Sequence, residues 1–166
     1  MKLADTHYDN RETGCCARLD DEKWEGKTFE WKSKPFLKDH IRAFMHIPLN
    51  FGAVISRDLQ KVEDVAAYPE DPLCLSDEVS PWGSDIYVAL DRDQLDNSEV
   101  VTISGTFLTK VFQGPYSDMR KWNRAMEDHV HSQGKQIKKM YYFYATCPTC
   151  AKKLGENKVV LFAQVA

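Results

Sequence analysis

"VVTISGTFLTKVFQGPYSDMRKWNRAMEDHVHSQG", Val100–Gly134, decides how the chain is organised. Its first thirteen residues are β-branched and aromatic, the composition of a strand. "GPYSDM", Gly114–Met119, turns the chain. Ser117 is then placed to cap a helix running to Gly134, a natural residue just past a helix end. Met119, Trp122, Met126 and Val130 follow at spacings of 3, 4 and 4, so they share one buried helical face. Ile137–Tyr144 reads as the next strand, "TCPTCAKKLGENK" as a loop, and Val159–Val165 as a closing apolar strand.

The same order can be traced upstream. Phe29 and Trp31 have strand spacing, Pro35 interrupts, and a second extended piece runs from Phe36 to His46. Phe51, Val54, Ile55, Leu59 and Val62 then mark one face of a helix, with Pro48 suited to its first turn and Asn50 to its cap. Leu73–Leu75 is a short strand, "SDEVSPWGSD" a loop, and "DIYVALD" a strand with Ile86, Val88 and Leu90 on one side and Asp85, Tyr87 and Ala89 on the other. The expected fold is α+β. Two β-α-β-β modules form an antiparallel sheet, with two helices on one face and a ligand groove between the modules. Residues 1–27 read as an irregular arm and 28–166 as one domain, with modules at about 28–92 and 99–166.

A chain of 166 residues fits one domain, and a net charge of −3 without a dominant basic run argues against nucleic acid or an anionic membrane as partner. Neither a signal peptide's apolar core nor a membrane span is visible, so a cytoplasmic protein is expected, as monomer or homodimer. Five cysteines are present. Cys147-Pro148-Thr149-Cys150 has the spacing of half a zinc site, and Cys15-Cys16 is the other pair that could complete it as a structural zinc centre. A redox dithiol and two free thiols in a turn are the alternatives. Cys74, between leucines, reads as a small buried apolar residue.

The segment "SGTFLTKVFQGPYSDMRKWNRAMEDHVHSQG", followed by "YYFY" and "ENKVVLFAQV", resembles the GyrI-like small-molecule-binding domains. Gly114-Pro115-Tyr116, Trp122 and Tyr142–Tyr144 carry the match, and the repeated order extends it over about residues 28–165. The resemblance implies an aromatic-lined groove for amphipathic or cationic small molecules. Some relatives are effector domains of transcription regulators, and others hydrolyse strained electrophilic rings. Two departures stand out. Where family members often place a groove Glu on the last strand, this chain has Gln164, and it contains no helix-turn-helix.

Candidate chemistry centres on the acidic loop. Asp77, Glu78 and Asp85 surround Trp82, and a Glu desolvated against a Trp can serve as general acid or base. Glu78 and Asp85 are therefore the expected catalytic pair. Phe44, Phe51, Trp82, Tyr87, Tyr116, Tyr142 and Tyr144 are the expected ligand-binding aromatics, with Tyr141 and Phe143 assigned to the core under the helices. His40 and His46 share strand parity with Phe36, Lys38, Arg42 and Phe44. The function expected is binding of a small aromatic or amphipathic molecule, with its hydrolysis as the enzymatic form. A non-catalytic sensor and a cysteine-based zinc or redox protein are the alternatives.

Overall fold

The computed structural model describes residues 21–45, 47–48, 51–67, 69, 73–144 and 157–166, with the backbone alone at 47, 48, 51, 52, 55, 56, 78–80 and 116. These form an α+β protein. Its elements are α1 (Asp21–Trp24), β1 (Lys27–Phe44), β2 (Ile47–Pro48), α2 (Phe51–Asp64), β3 (Cys74–Ser80), β4 (Gly83–Ala89), β5 (Glu99–Gln113), α3 (Met119–Ser132), β6 (Ile137–Tyr144) and β7 (Lys158–Val165). The chain divides into two units, one containing Lys32–Ser104 and the other Gly105–Ala166 together with the segment ending at Trp31.

In the first unit the strand order is β2-β1-β4-β3. Strands β1 and β4 run antiparallel with His40 opposite Asp85, and β3 and β4 pair with Asp77 opposite Asp85. Alternation then assigns the faces. Leu37, Asp39 and Ile41 point toward α2, where Leu37 packs with Val62 and Val88, and Ile41 with Val54 and Ile86. Phe36, Lys38, His40 and Arg42 occupy the opposite face.

Three expectations are corrected here. Pro35 does not end a strand, and β1 is continuous for 18 residues. The bend comes earlier, at Ser33, whose φ is +51° and whose N–H leaves for Ser104 Oγ at 2.8 Å. A proline two residues on, with no N–H to pair, is tolerated there. Pro48 lies opposite Ala43 in a short strand pair rather than in the first turn of a helix. The acidic "loop" is mostly strand. β3 extends to Ser80, Pro81-Trp82 make the turn, and the register shifts between Asp77 and Ser80. That strand was hidden because Ser76 is the buried residue on its helix side, so the polar run shows no apolar alternation.

In the second unit the order is β6-β7-β5. β7 is central and apolar on both faces, as a covered strand requires. Trp122, Met126 and Val130 of α3 pack on Leu108, Val159, Leu161 and Ala163, as the helical spacing predicts. Asp118, rather than Ser117, stands at the helix N-cap, and it makes no side-chain capping bond. Gly134 has the left-handed φ of +71° that ends a helix.

The other face of this sheet is an aromatic layer. Trp31 lies over Phe107 at 4.4 Å between ring centroids, and Trp24 reaches Phe162 at 5.4 Å and Phe143 at 6.0 Å. Trp24 comes from α1, within the arm expected to be irregular, and is buried. Its flanks are tied down: Lys158 pairs with Asp21 at 2.9 Å, and the Val111 N–H donates to Glu25 at 2.8 Å.

Candidate functional site

Strand parity and the tight hairpin bring four of the sequence-predicted residues onto one strip of the first unit, on the sheet face opposite α2. Asp85 stands at its centre. Its Oδ1 is 2.9 Å from His40 Nδ1, and its Oδ2 is 3.9 Å from Lys38 Nζ. Lys38 in turn lies opposite Tyr87 in the ladder, and Tyr87 meets Phe36 edge-on at 6.3 Å. At the other end, Phe44 and Trp82 pack edge to face at 5.6 Å. These two rings are 56% and 59% exposed, unusual for large apolar side chains and a mark of a contact surface. The strip thus runs from a buried aromatic pair through a charged centre to an exposed aromatic pair.

Gly83 explains how His40 can lie flat on the strand. A Cβ built there would sit 2.5 Å from His40 Nε2. With no side chain at 83 the imidazole folds over the backbone, gives Nδ1 to Asp85 and keeps its ring half open to solvent. A carboxylate that holds one ring nitrogen fixes the tautomer and leaves Nε2 as a base. Parity had put His40 beside Lys38 and Arg42, but nothing in the sequence paired it with Asp85. That pairing comes from the register of β1 on β4.

The remaining predicted residues are placed as follows. Glu78 lies on β3, and Phe51 and Tyr116 open α2 and the short turn before α3, with their side chains outside the described residues. Tyr142 and Tyr144 stack on each other at 6.2 Å and pack against the cluster under α3. Tyr141 and Phe143 face the aromatic layer instead, which reverses the expected assignment of the two faces. Both faces of β6 are partly covered, so alternation alone could not say which one met the helix. Tyr142 hydrogen-bonds Asn123 at 2.8 Å and lines a hollow of about 540 Å³ with Glu127, His131 and Met140. Gln164 lies on the aromatic-layer side, with its amide close to Gly105. Cys15, Cys16, Cys147 and Cys150 lie outside the described residues. Among the described residues no group of three or more His, Cys, Asp or Glu is placed to hold a metal ion. Cys74 is half-buried, and burial together with the Asp58 charge pushes its thiol up to about 12.

Nothing in the sequence marks Asp58. It lies between Val54 and Val62 on the buried face of α2 and is fully enclosed, beneath Asp39 of β1. Burial, then the hydrogen bond and charge of Asp39, push its carboxyl up to about 7. Burial also raises Asp39, but hydrogen bonds from the His40 N–H and Arg57 outweigh it and hold that carboxyl below its ordinary value.

The bacterial hydrolase family matches residues 6–165, nearly the whole chain. The chain belongs to this family. The GyrI-like resemblance read from the Gly-Pro-Tyr turn, Trp122 and the aromatic strand holds. A hydrolase from Listeria innocua has a crystal structure similar to this fold at a TM-score of 0.60 and 13% identity, covering 86% of this chain and 92% of that one. An uncharacterized conserved protein from the same organism reaches 0.60 at 12% identity with the same coverage. The EcmrR C-terminal domain reaches 0.59 at 14%, covering 86% and 98%. At these identities the likeness is one of fold. No curated protein matches the chain. Among the described residues no helix is long and apolar enough to cross a membrane.

Proposed function

We propose that the protein binds a small aromatic or amphipathic molecule along the β1–β4 strip and hydrolyses it. The observation that carries this reading is the His40–Asp85 pair at 2.9 Å, beside the exposed Phe44–Trp82 pair. The rings hold the flat part of the substrate. His40 Nε2 takes a proton from a water whose oxygen attacks the electrophilic carbon, and the leaving group departs with the bonding pair. Asp85 acts through His40 as a positioning residue, fixing the tautomer and stabilising the imidazolium. Membership of a hydrolase family supports the reaction class. Glu78, on the strand beside β4, is proposed as a second acid or base.

The duplicated module belongs to the same proposal. Each unit reads strand, helix, strand, strand, as β1-α2-β3-β4 and β5-α3-β6-β7, with the two-residue β2 added in the first. That shared order supports two copies of one module.

Hydrolysis of p-nitrophenyl acetate tests the function, since it offers a flat ring and a reactive ester. The wild type should show saturable turnover, and His40→Gln should lower kcat about a hundredfold or more, in the range of general-base contributions. Binding of the non-hydrolysed analogue p-nitroacetanilide should survive that change. Equal turnover in His40→Gln would overturn the assignment. Saturable binding without any product would favour the sensor reading. Glu78→Gln with unchanged turnover would remove Glu78 from the site.

A further inference from the structure

A charged carboxylate enclosed in protein needs donors or a neutralising partner; without them it takes up a proton. Asp58 has neither in adequate measure. Both its oxygens are enclosed and, among the described residues, meet no N–H or O–H donor, and the Arg57 Nε is 3.9 Å away from Oδ1. Its near neighbour is the Asp39 carboxylate, a second acceptor. Two acceptors facing each other are satisfied when one carries a proton and donates it to the other. Asp39 is the better anion of the two. It accepts the His40 N–H at 2.8 Å and is held by the Arg57 guanidinium. The proton therefore resides on Asp58.

Among the described residues the surroundings offer no other group to take this part. On α2, Arg57 is engaged with Asp39, and Lys61 lies one turn further along as a positive charge that acts on Asp58 from a distance. From β3 comes Cys74, whose thiol stays protonated through the neutral range. From β4 and the rest of α2 come Ile86 and Val54, both apolar. The two carboxyls join α2 to β1 between the cluster of Leu37, Val62 and Val88 and that of Ile41, Val54 and Ile86.

We propose that Asp39 and Asp58 form a proton-operated latch: one shared proton seats helix α2 on strand β1, and loss of that proton loosens the helix. The direction follows from linkage. The folded-state carboxyl binds its proton more tightly than the unfolded chain does. Stability is therefore full below the ordinary carboxylate range, falls as pH rises above it, and levels off above about 7. Asp39 is shifted the other way, so its contribution changes only in acid, outside the neutral window.

The test is denaturant unfolding of the full chain between pH 6 and 8.5, with Asp58→Asn alongside. Asn has the size of the protonated carboxyl, is neutral and can donate to Asp39. In the wild type the folding constant should fall about tenfold across this window, the linkage expected for one carboxyl titrating near 7. In Asp58→Asn that fall should vanish. Protection of the α2 amides, taken relative to the intrinsic exchange rate at each pH, should fall at high pH in the wild type alone. An equal slope in both proteins would overturn the latch. A carbon-13 titration of the wild-type aspartate carboxyls decides the matter without any variant. A resonance titrating near neutral pH is expected, and titration of every aspartate near 4 would overturn it.

Discussion

A methyl group at position 83 would lie 2.5 Å from His40 Nε2 and 3.0 Å from the Ile41 carbonyl oxygen. The imidazole is the movable partner, so Gly83→Ala should swing His40 off Asp85 while the hairpin still closes. The expected outcome is a loss of p-nitrophenyl acetate turnover approaching that of His40→Gln, with little change in the unfolding midpoint, measured side by side. Asp85→Asn leaves the ring in place but removes the anion that stabilises its charged form. Its kcat should fall while binding of p-nitroacetanilide is kept. At this scale the sequence was informative about the open face. An acidic turn and strand alternation mark Asp85, Tyr87, Trp82 and Phe44. It was silent about Asp58. One aspartate inside an otherwise apolar helical stripe reads as a register imperfection, and only the opposing Asp39 on another strand gives it a partner.

Among the elements, long periodic segments were legible and polar ones were not. Helix α3 follows its pattern because it presents its apolar residues at one fixed spacing to a single neighbour, and β6 is legible as a strand although both its faces are partly covered. The polar part of strand β3 and the whole of helix α1 are hidden in the sequence for opposite reasons. β3 is polar along most of its length, and α1 is a four-residue turn held by tertiary contacts rather than by any periodic face. The contribution of α1 rests on Trp24, buried between Phe29 and Phe162 at 5.4 Å from each. Trp24→Ala should lower the unfolding free energy by about 3–5 kcal/mol, the usual cost of deleting a buried large aromatic, read from a denaturant midpoint at constant m-value. A cost below about 1 kcal/mol would mean that the aromatic layer closes without the arm.

For the whole molecule, a net charge of only −3 gives little long-range field, so the proposed association with an amphipathic ligand rests on local surface. The four cysteines of residues 15–16 and 147–150 pose a question of the same scale, because a zinc site needs both pairs in one place. One zinc per chain in protein purified without chelator, lost on Cys147→Ser, is the outcome that a joined site gives. Four freely titrating thiols are the outcome of separate pairs. Binding itself can be read from global stability. A ligand that associates with the folded chain alone stabilises it by mass action, about 2.7 kcal/mol at a hundred times its Kd. For a chain of this size that corresponds to a rise in Tm of about 5–10 °C. p-Nitroacetanilide should therefore raise the Tm of the wild type and, to the same extent, of His40→Gln, since the base is not needed to hold the ring. Trp82→Ala should bind about tenfold more weakly, or ~1.4 kcal/mol. Its Tm should need a correspondingly higher concentration to rise equally. An undiminished response in Trp82→Ala would place the ring-binding surface elsewhere, and the hollow lined by Tyr142 and Glu127 would be the next surface to test by the same melt.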